Sequence, residues 1–232
     1  MTEVTTDRAV RTLEVRYLGR IGYAEAVRLQ EKARHRLIDG RGEEQLLLLE
    51  HPSVYTLGRN ADLGDLVATP EWLAAHRVSV EETDRGGEIT YHGPGQLVGY
   101  PILDLNPDRR DIRRYICDLQ RLLILTLADF DLEAEPGLPD RPAGVWVGSL
   151  KIASIGVHLR RWITTHGFAL NVSTDLTYFD GIVPCGLAGV QMTSIEQLGK
   201  EATVEEVADR CSAHFAEVFD RRLDSVSAGR EK

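Results

Sequence analysis

Residues 85–96 read RGGEITYHGPGQ, with Arg85, Glu88, Tyr91, His92 and Gln96 set among four glycines and a proline. Glycine has no Cβ, so it accepts positive φ and lets a second backbone or a ligand come close. Gly86-Gly87 therefore reads as a tight turn feeding the β-prone run Ile89-Thr90-Tyr91. Gly93-Pro94-Gly95 breaks the chain again directly after His92. Two readings follow: a hairpin with a demanding turn, or a site. The density of polar side chains in the turn favours the site. It is no nucleotide fingerprint, because Val98 stands where a GxGxxG pattern from Gly93 needs its last glycine.

Upstream, residues 14–18 form an expected strand ended at Gly19, and residues 23–38 a helix. That helix carries Ala26, Leu29, Ala33 and Leu37 on one face, with Gly40 as its stop. The leucine run in residues 45–50 reads as a buried strand, His51-Pro52 as a turn, and residues 54–57 as another strand. Thr69-Pro70 opens a short helix through Ala75, and residues 78–80 lead into the glycine-rich centre. Downstream, residues 97–105 form a strand interrupted by Pro101. A long helix over 111–130 follows, with Ile112, Ile116, Leu119 and Leu123 at core spacing.

After the proline-rich residues 136–142 come strands at 145–147 and 150–159, joined by the Gly148-Ser149 turn of a hairpin. Arg160-Arg161 turns the chain into residues 163–172, and 175–199 read largely as loop. Thr203 and Glu206 make a capping box that opens a last helix, whose apolar face holds Val204, Val207, Cys211 and Val218. Helices and hairpin-linked strands in mixed order give an α+β fold, a mostly antiparallel or mixed sheet flanked by helices. Residues 1–12 and 223–232 are expected as loose tails around one domain at 13–222.

The 232 residues, 43% of them hydrophobic, are ample for a core. No apolar run approaches the ~20 residues that span a bilayer, and residues 1–11 lack the apolar stretch of a secretory signal. Three cysteines without CxxC spacing point to a reducing cytoplasm. A net charge of −9 argues against nucleic-acid binding. Seven histidines without HExxH or Cys/His pairing leave a metal site without support. Five arginines (Arg109, Arg110, Arg113, Arg114, Arg121) crowd the long helix's start, where cations oppose the macrodipole. They read as a solvated face or as a docking surface for an acidic partner.

Three residues outside the tails could carry chemistry. Strand alternation puts Lys151 on one face with Ala153, Ile155, Val157 and Leu159, at the head of an otherwise apolar row. It either snorkels to water or stays inside as a base usable near neutral pH. Cys117 and Cys211 fall on helices and read as packed hydrophobes. Cys185 differs, because Pro184, Gly186 and Gly189 make its surroundings irregular and leave room for an incoming carbonyl. His92 is the default base for a catalytic cysteine, with a structural hydrogen bond or a substrate contact as equal alternatives.

Four motifs in order, residues 85–96, KIASIG at 151–156, HGFALN at 166–171 and PCG at 184–186, closely resemble the lipoyl(octanoyl) transferase family. The likeness runs from about Tyr17 to Phe219. It implies the catalytic-domain fold of biotin and lipoate ligases, and transfer of octanoyl (or lipoyl) from acyl carrier protein to a lysine of lipoyl domains. The acceptors implied are the lipoyl domains of 2-oxoacid dehydrogenases and the glycine cleavage H protein. By position, Cys185 matches the family's acyl-thioester nucleophile and Lys151 the partner that lowers the thiol's pKa. Arg85, Gly86, Gly87, Glu88, Ile89, Thr90, Tyr91 and His92 match acyl-substrate binding positions, as do Ser154, Ile155, Gly156, Gly167, Phe168 and Ala169. No cofactor, metal or ATP is implied. The nearest rival is an ATP-dependent lipoate or biotin ligase, which shares the fold without needing Cys185. A binder of acyl chains or carriers is the rival of another class.

Overall fold

The computed structural model describes residues 11–137, 143–183 and 190–224. Its elements run β1 (Arg11–Arg20), α1 (Tyr23–Ile38), β2 (Glu44–Glu50), β3 (Val54–Leu57), α2 (Pro70–His76), β4 (Ser79–Glu82), β5 (Ile89–His92), β6 (Gln96–Ile102), α3 (Ile112–Ala128), β7 (Glu135–Pro136), β8 (Gly144–Val147), β9 (Leu150–Arg160), β10 (Ile163–Asn171), α4 (Val204–Phe219) and β11 (Arg221–Asp224). Eight strands form one mixed sheet in the order β11-β1-β2-β6-β10-β9-β8-β7, and three form a small sheet, β4-β3-β5. β1 runs parallel to both its neighbours, and the rest of the large sheet is antiparallel. This is the α+β architecture the element order predicted.

Both faces of the large sheet are covered, which explains the unbroken leucines of β2. Side chains alternate along a strand. Leu46 and Leu48 therefore enter the core beneath α3 and α4, while Leu47 and Leu49 enter the one beneath α1. Likewise Leu97 faces α3 and α4, whereas Val98, Tyr100 and Ile102 face α1. α4 starts with the expected capping box between Thr203 and Glu206.

The structure corrects several expectations. Residues 85–96 are not a hairpin: β5 pairs with β3 in the small sheet and β6 with β2 and β10 in the large one. Gly93-Pro94-Gly95 is the crossing between sheets, where Gly95 has φ +80° and any Cβ there would meet Ser173 O at 2.6 Å. The buried face of α3 runs through Tyr115, Leu119, Leu123 and Leu127, leaving Ile112 45% exposed. Cys117 consequently lies exposed, while Cys211 is buried and its thiol is pushed up to about 12 by burial. The domain edges also shift. β1 begins at Arg11, and β11 pairs with it as far as Glu14↔Asp224.

Arg109 is no surface cation. It is 6% exposed, ion-paired to Asp118 and donating to Val218 O at the end of α4. Arg110 lies over the Trp162 ring, and Arg113 and Arg114 are exposed. Of these, Arg110 sits beside the β9–β10 turn. Lys151 is at the other end of β9 from that turn, and α3 reaches its neighbour Gly144 through Gln120 Nε2, which donates to Gly144 O at 3.1 Å.

Candidate active site

Lys151 is 1% exposed, and it does not face the way simple alternation requires. In the pairing of β8 with β9, Val145 opposes Ala153 but Trp146 opposes Lys151, so Ile152 is an extra residue in β9. Such a bulge re-aims the side chains around it. Ile152 and Ala153 both enter the core beneath α3, and Lys151 turns to the opposite face, with Trp146, Gly144 and Ser154. Gly144 is what lets it pass. A Cβ at Gly144 would stand 2.8 Å from Lys151 Cε and 2.2 Å from Ala153 O.

β10 parts from β9 after Leu170↔Ala153, and residues 191–193 take its place on the edge of β9. Lys151 N–H donates to Gln191 O at 2.8 Å, and Thr193 N–H donates to Lys151 O at 2.9 Å. Met192 and Lys151 form a parallel bridge. Upstream, Val183 N–H donates to Asp65 O at 2.8 Å, and Val67 and Ala68 both donate to Gly181 O at 2.9 Å. The chain thus enters its Cys185 segment from the small sheet's side and leaves it along the backbone of Lys151. Cys185 itself lies outside the described residues. A cleft of about 730 Å³, lined by Leu150, Phe179, Ile182, Val183, Val190 and Met192 among others, flanks this junction.

The small sheet packs a polar face toward the same side. Arg85, 8% exposed, donates to Thr56 Oγ1 and, at 2.6 Å, to Thr56 O. Gly86 N–H donates to Val157 O at 2.9 Å, docking the turn on β9. His92 Nδ1 donates to Gln96 Oε1 at 2.8 Å, and Gln96 Nε2 donates to Asn171 Oδ1 at 2.9 Å. His51 Nδ1 donates to Ile21 O and its Nε2 accepts from Tyr100 Oη. Burial lowers His51 to about 4. Burial, then the nearby His51 and Arg85, lower His92 to about 3. Both rings are therefore neutral at pH 7. His92 is a poor proton acceptor, and of its open alternatives the structural hydrogen bond is the one observed.

Strand alternation divides the remaining expected residues. Thr90, His92, Ser154 and Ala169 share the site's face, while Ile89 and Tyr91 belong to the small sheet's core. Phe168 is buried beneath α3 and α4, where its ring lies over Gly99, and Ile155 packs on the same side. Gly156 and Gly167 oppose each other in β9 and β10, Gly87 takes φ +89°, and Glu88 O accepts from Gly58 N. Sequence reasoning passed over Gly144, His51 and Asn171. Only Asn171 carried a signal, as a polar residue closing an otherwise apolar strand. Among the described residues no group of three or more His, Cys, Asp or Glu is placed to hold a metal, and no helix is long and apolar enough to cross a membrane.

A family model, the lipoyl protein ligase A/B catalytic domain, matches residues 22–216. An octanoyltransferase of Solibacter usitatus is 51% identical over 211 residues, 91% of this chain and 94% of that one. The chain belongs to the octanoyltransferase family, a group of acyltransferases. Another member, from Caldicellulosiruptor bescii, is 42% identical over 222 residues, 95% of this chain and 96% of its own. Among solved structures, a bi-partite lipoate protein ligase from Thermoplasma acidophilum shares the fold of this octanoyltransferase-family chain. Its TM-score is 0.74 over 94% of this chain and 88% of that one, at 17% identity.

Proposed function

We propose that this chain, as one catalytic domain in the cytoplasm, carries octanoyl from acyl carrier protein to a lipoyl-domain lysine through a thioester on Cys185. Lys151 takes the Cys185 proton, and the thiolate attacks the carrier's thioester carbonyl. The tetrahedral intermediate collapses, and Lys151 returns its proton to the departing phosphopantetheine thiol. The neutral amine of the acceptor lysine then attacks the acyl-enzyme. An amide forms, and the proton shed by the amine returns to Cys185 through Lys151. A thioester becomes an amide, a downhill exchange, so no ATP, metal or cofactor enters. The acceptors are lipoyl domains of 2-oxoacid dehydrogenases and the glycine cleavage H protein, with neither nucleic acid nor membrane involved.

The observation that carries this reading is a buried lysine whose own backbone is paired with the chain leaving the Cys185 segment. Ser154, Gly156, Gly167, Ala169, Arg85 and Thr90 share its face of the sheet or the small sheet above it, and supply the acyl site. Arg113 and Arg114, exposed at the start of α3, are in this reading a solvated face with no docking role.

Reconstitution tests it. Purified protein with octanoyl-acyl carrier protein, a lipoyl domain and a chelator, without ATP, should modify the acceptor. Modification that requires ATP and free octanoate would place the chain with the ligases instead.

A further inference from the structure

Between the small sheet and the backbone of Lys151 runs one line of buried polar groups. His92 Nδ1 donates to Gln96 Oε1, and Gln96 Nε2 donates to Asn171 Oδ1 at 2.9 Å. Asn171 Nδ2 donates to Thr193 O, also at 2.9 Å. Thr193 N–H in turn donates to Lys151 O. The backbone of Asn171 holds the same segment at a second point, because its carbonyl accepts from Ile195 N–H at 3.1 Å. Gln96, Asn171 and Lys151 are each 1% exposed, and Thr193 is fully buried.

Asn171 stands where β10 leaves β9 and residues 191–193 take over its edge. Neither strand alone fixes that change of partner, since a backbone carbonyl such as Thr193 O carries no register information. A side-chain amide does, provided it cannot turn over. Here it cannot, because Gln96 offers Asn171 a donor, and the Gln96 amide is itself oriented by His92 Nδ1–H and by its bond to Tyr91 O at 3.2 Å. Reversed, the buried amide would set donor against donor at Gln96 Nε2 and acceptor against acceptor at Thr193 O, losing both bonds.

We infer that Asn171 is a positioning residue: it locks residues 193–195 to β10 and so sets where Lys151 stands relative to the chain coming from Cys185. This rests on the reading of Lys151 and Cys185 as reacting partners. Its contribution lies in catalytic geometry rather than substrate binding, where a displacement of about 1 Å costs on the order of 10²-fold in rate.

The test uses a Cys117→Ser background, because Cys117 is exposed and would react on its own. Asn171→Asp is nearly isosteric and puts an oxygen in place of the donor to Thr193 O. Asn171→Ala removes both bonds, and Gln96→Met leaves Asn171 free to turn over. The rate of Cys185 alkylation by iodoacetamide is followed against pH, beside kcat and KM for octanoyl transfer. The expected result is folded variants whose thiolate titrates at higher pH than in the parent, with kcat down about 10²-fold and KM within threefold. Folded variants with the parent's alkylation profile overturn the proposal, as does a rise in KM alone. Failure of all three variants to fold assigns the joint to stability and overturns it too. Alkylation needs no acyl donor, so it reads this geometry even where the parent proves unable to transfer octanoyl, a result that would sink the function and not the joint.

Discussion

Lys151 Cε passes over Gly144 at a point where a Cβ would come within 2.8 Å of it. The same Cβ would stand 2.2 Å from Ala153 O, which is backbone and cannot swing away. Gly144→Ala should therefore destabilise the fold by roughly 1–3 kcal/mol, as overpacking does, and lower transfer more than that loss of folded protein explains. Urea titration beside initial rates checks it. A variant with unchanged stability and rate would mean that β8 and Lys151 have room to part.

Removing the amine while keeping the length isolates the chemistry of Lys151. Lys151→Met should stay folded, since methionine fills irregular buried space. Transfer should fall by about 10²–10⁴, the range spanned by a positioned acid–base group. A fall of less than tenfold would take the proton work away from Lys151.

The bulge at Ile152 explains why this lysine was only half legible in the sequence. Strict alternation groups Lys151 with Ala153 and Ile155, and nothing in KIASIG marks the extra residue, which exists only relative to β8. The fold was easier to read. Capping of α4, the leucine run of β2 and the β8–β9 turn are local signals, and each is found where expected. The glycine-rich stretch declared its importance but not its route between two sheets. Asn171, Gln96 and His92 lie far apart in sequence or on different strands, so their bonds were hidden.

The buried histidines make stability depend on pH. Unfolded histidine titrates near 6.5, whereas His51 and His92 are lowered to about 4 and about 3, by burial first. The unfolded chain therefore binds more protons below pH 6.5, and stability present above that pH is lost as pH falls toward 4 and 3. Between pH 7 and 5 each ring should remove on the order of 1–2 kcal/mol. The slope of unfolding free energy against pH, measured in urea, should flatten in His51→Gln and His92→Gln. Parallel slopes for variants and wild type would show that these rings accept protons in the folded state.

Charge on α3 offers a negative test of where the partner docks. Arg113 and Arg114 are exposed, and the Arg114 guanidinium meets Asp108 O and Asp118, as on a solvated face. Charge reversal at both should change kcat/KM less than twofold at low salt. A larger loss, relieved as salt rises, would put the acidic carrier on α3 after all.

The most direct measurement is the intact mass of the protein after incubation with octanoyl-acyl carrier protein in the absence of ATP. One octanoyl group should be gained, discharged on adding a lipoyl domain, and absent from Cys185→Ser. No adduct, with the acceptor modified only when free octanoate and ATP are supplied, would contradict transfer through Cys185.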